Sequence, residues 1–426
     1  MKAVILAAGE GTRLKPITLN RPKPLIRING KTILEHTISI LKNLEITEII
    51  VITNYREKDI KEYFNDGKKH GVKIQYKKQE KINGTAFAVN LVEPIIEDDF
   101  ILIYGDLLFN SAVIKKIINL FKTKNADAVL AVTPVDNPEK YGIVELDKEK
   151  RIKKIIEKPK NNISSNLANT GIYVLTKDIF KKIKKIKKSK RGEYELTDAI
   201  KLMINEKKKV IAELIEKENW IDIANPWDLL EANSWILQKQ KRKIYGTIEE
   251  GAHIIGSVTI SKNTRIRSGA YIEGPAFIDE DTEIGPNCYI RPYTSIGKKV
   301  RIGNAVEIKN SIIMDKTHVG HLSYVGDSII CERCNLGAGT IIANYRFDSK
   351  SVKMKVKNKI INTKRRKLGA ILGDDVKTGI HAVLLPGVKV GNKSWIGVKY
   401  IVDRDIAENT CTTIQQKKEK NKKSAL

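Results

Sequence analysis

The residues best suited to chemistry stand at the start of the chain. Gly9 and Gly11 follow an apolar run, residues 2–7, that reads as a short buried strand, and they permit a tight loop whose backbone can approach a phosphate. Thr12, Arg13 and Lys23 bring a hydroxyl and two cations to the same place, a set that fits a nucleoside triphosphate. Two other phosphate loops do not match. A Walker loop needs Gly-x4-Gly-Lys-Ser/Thr, and a dinucleotide fingerprint needs a third glycine where this chain has Leu14. Asp106, in Tyr104-Gly105-Asp106, is the first metal candidate. Mg²⁺ that neutralises a triphosphate usually takes only one or two carboxylates, with phosphates and water completing its shell.

Strands and helices must bring these groups together. Ile33, Leu34, Thr37, Ile40, Leu41 and Leu44 mark one face of a helix, and residues 48–53 read as a buried strand. Helices are expected over 57–64 and 112–121, and strands over 74–76, 100–104 and 126–132. Strands alternating with helices predict a mostly parallel α/β sheet, whose ligands sit at the carboxyl ends of the strands. Gly9, Gln79 and Asp106 all fall at such ends.

The second half has a different period. From Ile248 an aliphatic residue recurs every six positions, through Ile254, Ile260, Ile266, Ile272, Ile278, Ile284, Ile290, Ile296, Ile302 and Ile308 to Met314. The series slips between Val319 and Ile342, then resumes as Leu372, Thr378, Leu384, Val390, Ile396 and Val402. No helix has a period of six, and hexapeptide repeats predict a parallel β-helix, three hexads to a triangular coil. The first run gives about four coils and the second about two more. Such a rod has flat faces that invite self-association.

Composition narrows the partners. A chain of 426 residues can hold two or three domains with real cores. No apolar run approaches the roughly 18 residues of a membrane helix, and the apolar start is too short for a signal peptide. A soluble, cytoplasmic protein with no membrane partner is expected. The net charge of +27 suggests nucleic acid, but the lysines are spread out and aromatics, at 6%, are too few for stacking platforms. The expectation is no nucleic-acid partner and a lysine-rich surface that draws anionic substrates. The densest run, residues 181–188, has isoleucines three apart, as on a solvated helix. Cys331 and Cys334 lack a second pair at zinc spacing and are expected as free thiols at the surface or at corners. His318 and His321, three apart, do not form a two-histidine metal face on a β-helix.

The segment from Leu6 to Leu14, extended by Pro22-Lys23-Pro24-Leu25, resembles the signature of sugar-1-phosphate nucleotidyltransferases. Tyr141-Gly142-Ile-Val144, Glu157-Lys158-Pro159, Asn169-Thr-Gly-Ile-Tyr173, Gly192-Glu-Tyr-Glu195-Leu-Thr-Asp198 and Trp220-Ile-Asp222 recur in that order in the family. The resemblance implies that Leu6, Ala7, Ala8, Gly9, Gly11 and Thr12 line the nucleotide, and that Gln79, Gly84 and Thr85 read its base. Gly142, Glu157, Lys158 and Asn169 would line the sugar phosphate. Asp222 would return beside Asp106 to hold Mg²⁺. The sugar 1-phosphate oxygen attacks the α-phosphorus and pyrophosphate leaves, with Arg13 and Lys23 compensating charge.

The hexads resemble left-handed β-helix acyltransferases, which are trimers. A cluster lies where the repeat slips: Arg291-Pro292, Glu307-Ile-Lys309, His318 to Asp327, Asn335 to Ile341, and Asn344-Tyr345. It resembles the acetyltransferase half of bifunctional enzymes that make UDP-N-acetylglucosamine, which implies acetyl-CoA as co-substrate. His321 would take the proton of the attacking amine near neutral pH, and Asn344 would orient that histidine or hold the amine. Arg291, Lys309 and Tyr324 suit the sugar phosphate; Asn335, Ala338 and Tyr345 would line the acetyl-CoA groove. Arg346-Phe-Asp348 and a basic segment, 350–367, look like the archaeal form. Ile380 and Gln415 stand where bacterial relatives place a CoA-contacting serine and an arginine, so the basic insertion and the lysine tail become candidates for holding CoA. The longer loop before Pro22 looks more like thymidylyltransferases, which leaves UTP and dTTP both open.

The expected fold is α/β. A Rossmann-like nucleotidyltransferase domain spans 1–228, a linking helix 229–243, a left-handed parallel β-helix of hexapeptide repeats with the acetyltransferase 244–405, and a basic, disordered tail 406–426. The expected partners are UTP or dTTP, sugar 1-phosphates and acetyl-CoA, in a homotrimer joined through the β-helix. The rival readings are a single-activity transferase for glucose or mannose 1-phosphate with an inert β-helix, and a non-catalytic regulatory subunit.

Overall fold

The computed structural model describes residues 1–159 and 164–413; Gln415 and the rest of the tail lie outside them. The described residues form two compact units, one within Met1–Thr12, Arg21–Arg27 and Lys31–Ala224, the other of Arg13–Asn20, Ile28–Gly30 and 225–413.

Among the described residues the first unit is built on a nine-stranded sheet. Lys2–Ala7 runs parallel between Glu48–Thr53 and Phe100–Tyr104, and Lys73–Lys78 lies parallel beyond Glu48–Thr53. Alternate residues of these strands enter different cores: Ala3, Ile5 and Ala7 one, Val4 and Ala8 the other. That alternation buries both faces, and it explains why the strands are continuous apolar runs. The sheet is more mixed than the sequence suggested. Leu167–Leu175 runs antiparallel to Phe100–Tyr104, Ala128–Pro134 and Gly142–Leu146. Its pairing is irregular between Asn169 and Tyr173, where Gly171 takes φ +82°. Helix Ile33–Asn43 starts with a reciprocal cap: Thr32 accepts from the Glu35 amide, and Glu35 accepts from the Thr32 amide. Five of the six lysines in the run 181–188 are exposed, as expected, and Lys182 is the exception. Helix Asp178–Ile183 ends early, and Lys182 is buried with its ammonium between Asp178 and Glu206.

The second unit is a parallel β-helix whose three faces carry eight, nine and eight strands among the described residues. Inward residues stack in register, as in Ile260, Ile278 and Ile296 on the first face and Ile272, Ile290 and Ile308 on the third. These side chains are fully buried, and each contributes about 1.5–3 kcal/mol of hydrophobic burial. The coils are 18 residues long up to Ile296 on the first face, but the next two are 17 long: Ile296 pairs with Ile313, and Ile313 with Ile330. Two hexads are therefore pentads, Ile308 to Ile313 and Val325 to Ile330. The inward residue is Ile313 in place of the expected Met314, and coiling continues through Val319, Val325, Leu336 and Ile342.

After Ile342 the chain leaves the stack. An antiparallel hairpin, Lys353–Val356 with Lys359–Asn362, occupies the basic insertion. Its base is closed where the Leu368 amide donates to the Asn344 carbonyl at 2.9 Å. The stack then resumes and its last strand is Cys411–Thr412. Cys331 and Cys334 are buried, contrary to the surface expectation, because they sit where coils stack: the Cys334 thiol lies 3.1 Å from the Gly373 carbonyl. No helix among the described residues is long and apolar enough to cross a membrane.

Two candidate active sites

In the first unit, Lys23 and Asp106 meet. The Lys23 ammonium lies 2.7 Å from Asp106 Oδ2, and Lys23 is almost buried while the carboxylate is 40% exposed. Short antiparallel strands set the second carboxylate: Trp220–Asp222 pairs with Leu107–Phe109, placing Asp222 opposite Leu107. The Ile223 amide donates to the Asp106 carbonyl at 3.2 Å. Beside them, Gly105 lets two strand ends close together, since a Cβ there would stand 2.7 Å from the Leu6 carbonyl. Ala7 and Ala8 are buried, Leu6 is half-buried, and space opens over Gly9, where an added Cβ meets nothing within 4 Å. Gly11 takes φ +67°, which turns the chain into the short 3-10 turn Thr12–Leu14. Thr12 is half-buried; Arg13, the next residue, is exposed and belongs to the second unit.

A second group gathers around residues 191–197. Buried Gln79 donates to the Gly84 carbonyl at 3.4 Å, and its own carbonyl accepts from Asn54. Gly84, at φ +106°, has no room for a Cβ, which would fall 2.4 Å from the Tyr194 carbonyl. Thr85 Oγ1 accepts from the Leu196 amide at 3.0 Å. Gly142 faces Glu157 and Asn169: an added Cβ would lie 3.0 Å from Glu157 Oε2 and 3.7 Å from Asn169 Cβ. Glu157 accepts from Thr197 at 3.2 Å and lies 3.8 Å from the Lys158 ammonium. The Asn169 amide donates to Tyr173, whose hydroxyl reaches Tyr104. Burial raises both hydroxyls well above their ordinary range, so they remain neutral. Arg191 bridges Glu195 at 3.0 Å and Glu157 at 3.6 Å. Burial, reinforced by the Glu157 charge, pushes the Glu195 carboxyl upward despite Arg191.

In the second unit, four of the residues named from sequence lie along the third face and its corner. Arg291 pairs with Glu307 at 2.8 Å, the hydrogen bond that raises its guanidinium further. Lys309 lies 3.3 Å from Asp327. The Asn344 amide nitrogen is 2.6 Å from Asp327 Oδ2 and 3.2 Å from the Tyr324 hydroxyl, which burial raises. Gly326 leaves room for this, since a Cβ there would lie 2.5 Å from the Asn344 nitrogen. The others stand apart. His321 is exposed at the edge between the second and third faces, and Ala338 lies at the same edge one coil on. Asn335 is exposed on the second face, in register with His318. Among the described residues no hydrogen bond joins Asn344 to His321. Tyr345 is 41% exposed and held by Arg366, which donates to its hydroxyl and lies over its ring. Ile380 is exposed.

Sequence reasoning gave no role to Arg191, Glu195, Thr197, Tyr104 or Asp327. The first three fall within or beside a quoted segment, and Asp327 closes another; a buried acid beside a glycine at the slipped repeat was the available signal.

A family model described as nucleotidyl transferase matches residues 2–239, and one described as the GMPPB C-terminal domain matches residues 272–393. A relative from Methanocaldococcus jannaschii, bifunctional protein GlmU, is 48% identical over 96% of this chain and 97% of its own length. A bifunctional sugar-1-phosphate nucleotidylyltransferase/acetyltransferase from Sulfurisphaera tokodaii is 45% identical over 95% of this chain and 98% of its own. A solved Bacillus anthracis chain described as a glucose-1-phosphate thymidylyltransferase, in complex with sucrose, is 32% identical, covers 55% of this chain and 94% of its own, and superposes with a TM-score of 0.50. The chain belongs to the nucleotidyl transferase family and, within it, to the bifunctional sugar-1-phosphate nucleotidylyltransferase/acetyltransferases.

Proposed function

We propose that this enzyme makes UDP-N-acetylglucosamine by two transfers on one chain: N-acetylation of glucosamine 1-phosphate by acetyl-CoA, then uridylyl transfer from UTP to the product, with dTTP as an alternative nucleotide. The observation that carries this reading is the match to bifunctional relatives along nearly the whole chain, across both halves.

For nucleotidyl transfer, the sugar 1-phosphate oxygen is already an anion, so the protein supplies position and charge compensation in place of a strong base. Gly9, Gly11 and Thr12 offer backbone and hydroxyl donors to the triphosphate; Arg13 and Lys23 neutralise its oxygens. Gln79, Gly84 and Thr85 read the base, and Gly142, Glu157, Lys158 and Asn169 seat the sugar phosphate. A cation suits the Asp106 end, as the ammonium drawn onto that carboxylate indicates. Asp106 and Asp222, hard oxygen donors on neighbouring strands, fit Mg²⁺ completed by phosphate oxygens. Bound there, Mg²⁺ would supply neutralisation of charge on the triphosphate.

For acetyl transfer, His321 accepts the amine proton, Asn344 meets the amine, and Arg291, Lys309 and Tyr324 hold the sugar phosphate. Asn335, Ala338 and Tyr345 line the thioester. The assembly is a homotrimer joined through the β-helix; exposed Trp395 and Ile401 on its second and third faces, with Leu322 and Val398 at the edge between them, support that reading. Substrates of this kind suit a cytoplasmic enzyme.

The test is direct. Purified protein is mixed with acetyl-CoA and glucosamine 1-phosphate, without nucleotide, and free thiol is followed. Release that depends on the amino sugar is expected. No release from an intact trimer would leave a single-activity nucleotidyltransferase.

A further inference from the structure

Asp327 is the hub of the polar cluster at the corner after the third face. It sits in the second pentad with φ +49°, a left-handed conformation that Asp tolerates, and its side chain is 4% exposed. Three donors converge on it: Asn310 Nδ2 at 2.6 Å on one oxygen, Asn344 Nδ2 at 2.6 Å and Lys309 Nζ at 3.3 Å on the other. The pentads create this meeting. Removing one residue from each corner leaves Lys309, Asn310 and Asp327 stacked one coil apart, with the Asp327 amide donating to the Lys309 carbonyl at 2.9 Å.

A carboxylate only accepts hydrogen bonds, so it admits one orientation of the Asn344 amide. The NH₂ must face Asp327, and the carbonyl oxygen must face the other way. Among the described residues that oxygen accepts no hydrogen bond. An amine attacking a thioester points its lone pair at the acyl carbon and its N–H bonds elsewhere. A carbonyl oxygen beside it receives an N–H and leaves the lone pair free. An NH₂ group in that place would donate into the lone pair and oppose attack. As the N–C bond forms, the C–S bond breaks, one amine proton passes to His321, and the sulfur leaves as the CoA thiolate, which takes that proton from His321 to become the thiol.

We propose that Asp327 is a positioning residue of acetyl transfer, which locks the Asn344 amide with its carbonyl oxygen turned away from the carboxylate as the acceptor for the substrate amine. The proposal rests on the reading that Asn344 meets that amine.

Asp327→Asn keeps the shape and removes the obligate acceptor, so three donors compete for one oxygen and Lys309 loses its counter-charge. We expect kcat for acetyl transfer to fall about tenfold or more, with KM for acetyl-CoA and the rate of uridylyl transfer within about twofold of the parent. The exchange Asp327→Asn with Asn344→Asp restores a donor–acceptor pair and places a carboxylate oxygen toward the amine; it is expected to recover most of the lost kcat. A merely structural role predicts no such recovery. Should the single variant fail to fold, judged by its melting curve, the exchange variant carries the test alone. Unchanged kcat in Asp327→Asn, or an exchange variant no better than Asp327→Asn (or inactive, where it stands alone), overturns the proposal. Unchanged kcat in Asn344→Ala would instead overturn the underlying reading of Asn344, a result that Asp327 variants cannot mimic.

Discussion

Gly326→Ala tests the proposed role of the corner at Asn344 and Tyr324 in acetyl transfer. Gly326 lies on the third-face strand Tyr324–Gly326 and has an ordinary φ, so alanine meets no backbone penalty there. The added methyl would lie 2.5 Å from the Asn344 amide nitrogen and 2.6 Å from the Tyr324 hydroxyl. Ordinary contact begins near 3.4 Å, so the amide must retreat by 3.4 − 2.5, about 0.9 Å. Overpacking of this kind costs about 1–3 kcal/mol of stability. Displacing a positioned group by about 1 Å can cost about a hundredfold in rate. We therefore expect kcat/KM for acetylation to fall about a hundredfold, read as thiol release from acetyl-CoA. Nucleotidyl transfer, read as pyrophosphate release, should stay within about twofold. Acetylation at the parental rate, with the methyl present and the stack intact, would mean that Asn344 and Tyr324 do not face the reacting groups.

The two activities should separate by mutation: Asp106→Ala abolishes pyrophosphate release and spares acetylation, and His321→Ala does the reverse. Loss of both activities in either folded variant would refute two independent sites. Gly84→Ala, with φ +106° and a Cβ 2.4 Å from the Tyr194 carbonyl, should lower nucleotidyl transfer mainly through nucleotide KM; steady-state kinetics with UTP check this. Thiol labelling of the native protein at pH 8, followed by mass spectrometry, should modify exposed Cys411 and spare the other three cysteines. Burial pushes the Cys288 thiol up to about 12, so it stays protonated and unreactive until the protein is denatured. Rapid native labelling of Cys288 would contradict that burial.

Much of the architecture was legible because it repeats at short range. The six-residue period needs only one coil stacked on the next, so counting residues predicts inward side chains such as Ile278 and Ile296. The same counting failed at Met314. A pentad is locally indistinguishable from a hexad when two apolar residues, here Ile313 and Met314, stand together, and only stacking against Ile296 and Ile330 selects Ile313. In the first unit, alternating apolar residues marked the strands, but no local pattern announced that Leu167–Leu175 would run antiparallel to its neighbours. Tyr173 and Val174 would enter opposite cores whichever way the strand ran, so their alternation carries no information about its direction.

The sequence by itself determined the glycine loop after a buried strand, the hexad coil, and the residue types able to bind phosphate and move a proton. Those follow from backbone freedom, period and side-chain chemistry, which are local properties. Tertiary structure alone decided which of them meet. Lys23 finds Asp106 across 83 residues because two parallel strands end side by side. Asp327 gathers Lys309, Asn310 and Asn344 because two shortened coils bring their corners into stack. Partners so distant in the chain are selected by packing the whole fold, and no spacing rule contains that information.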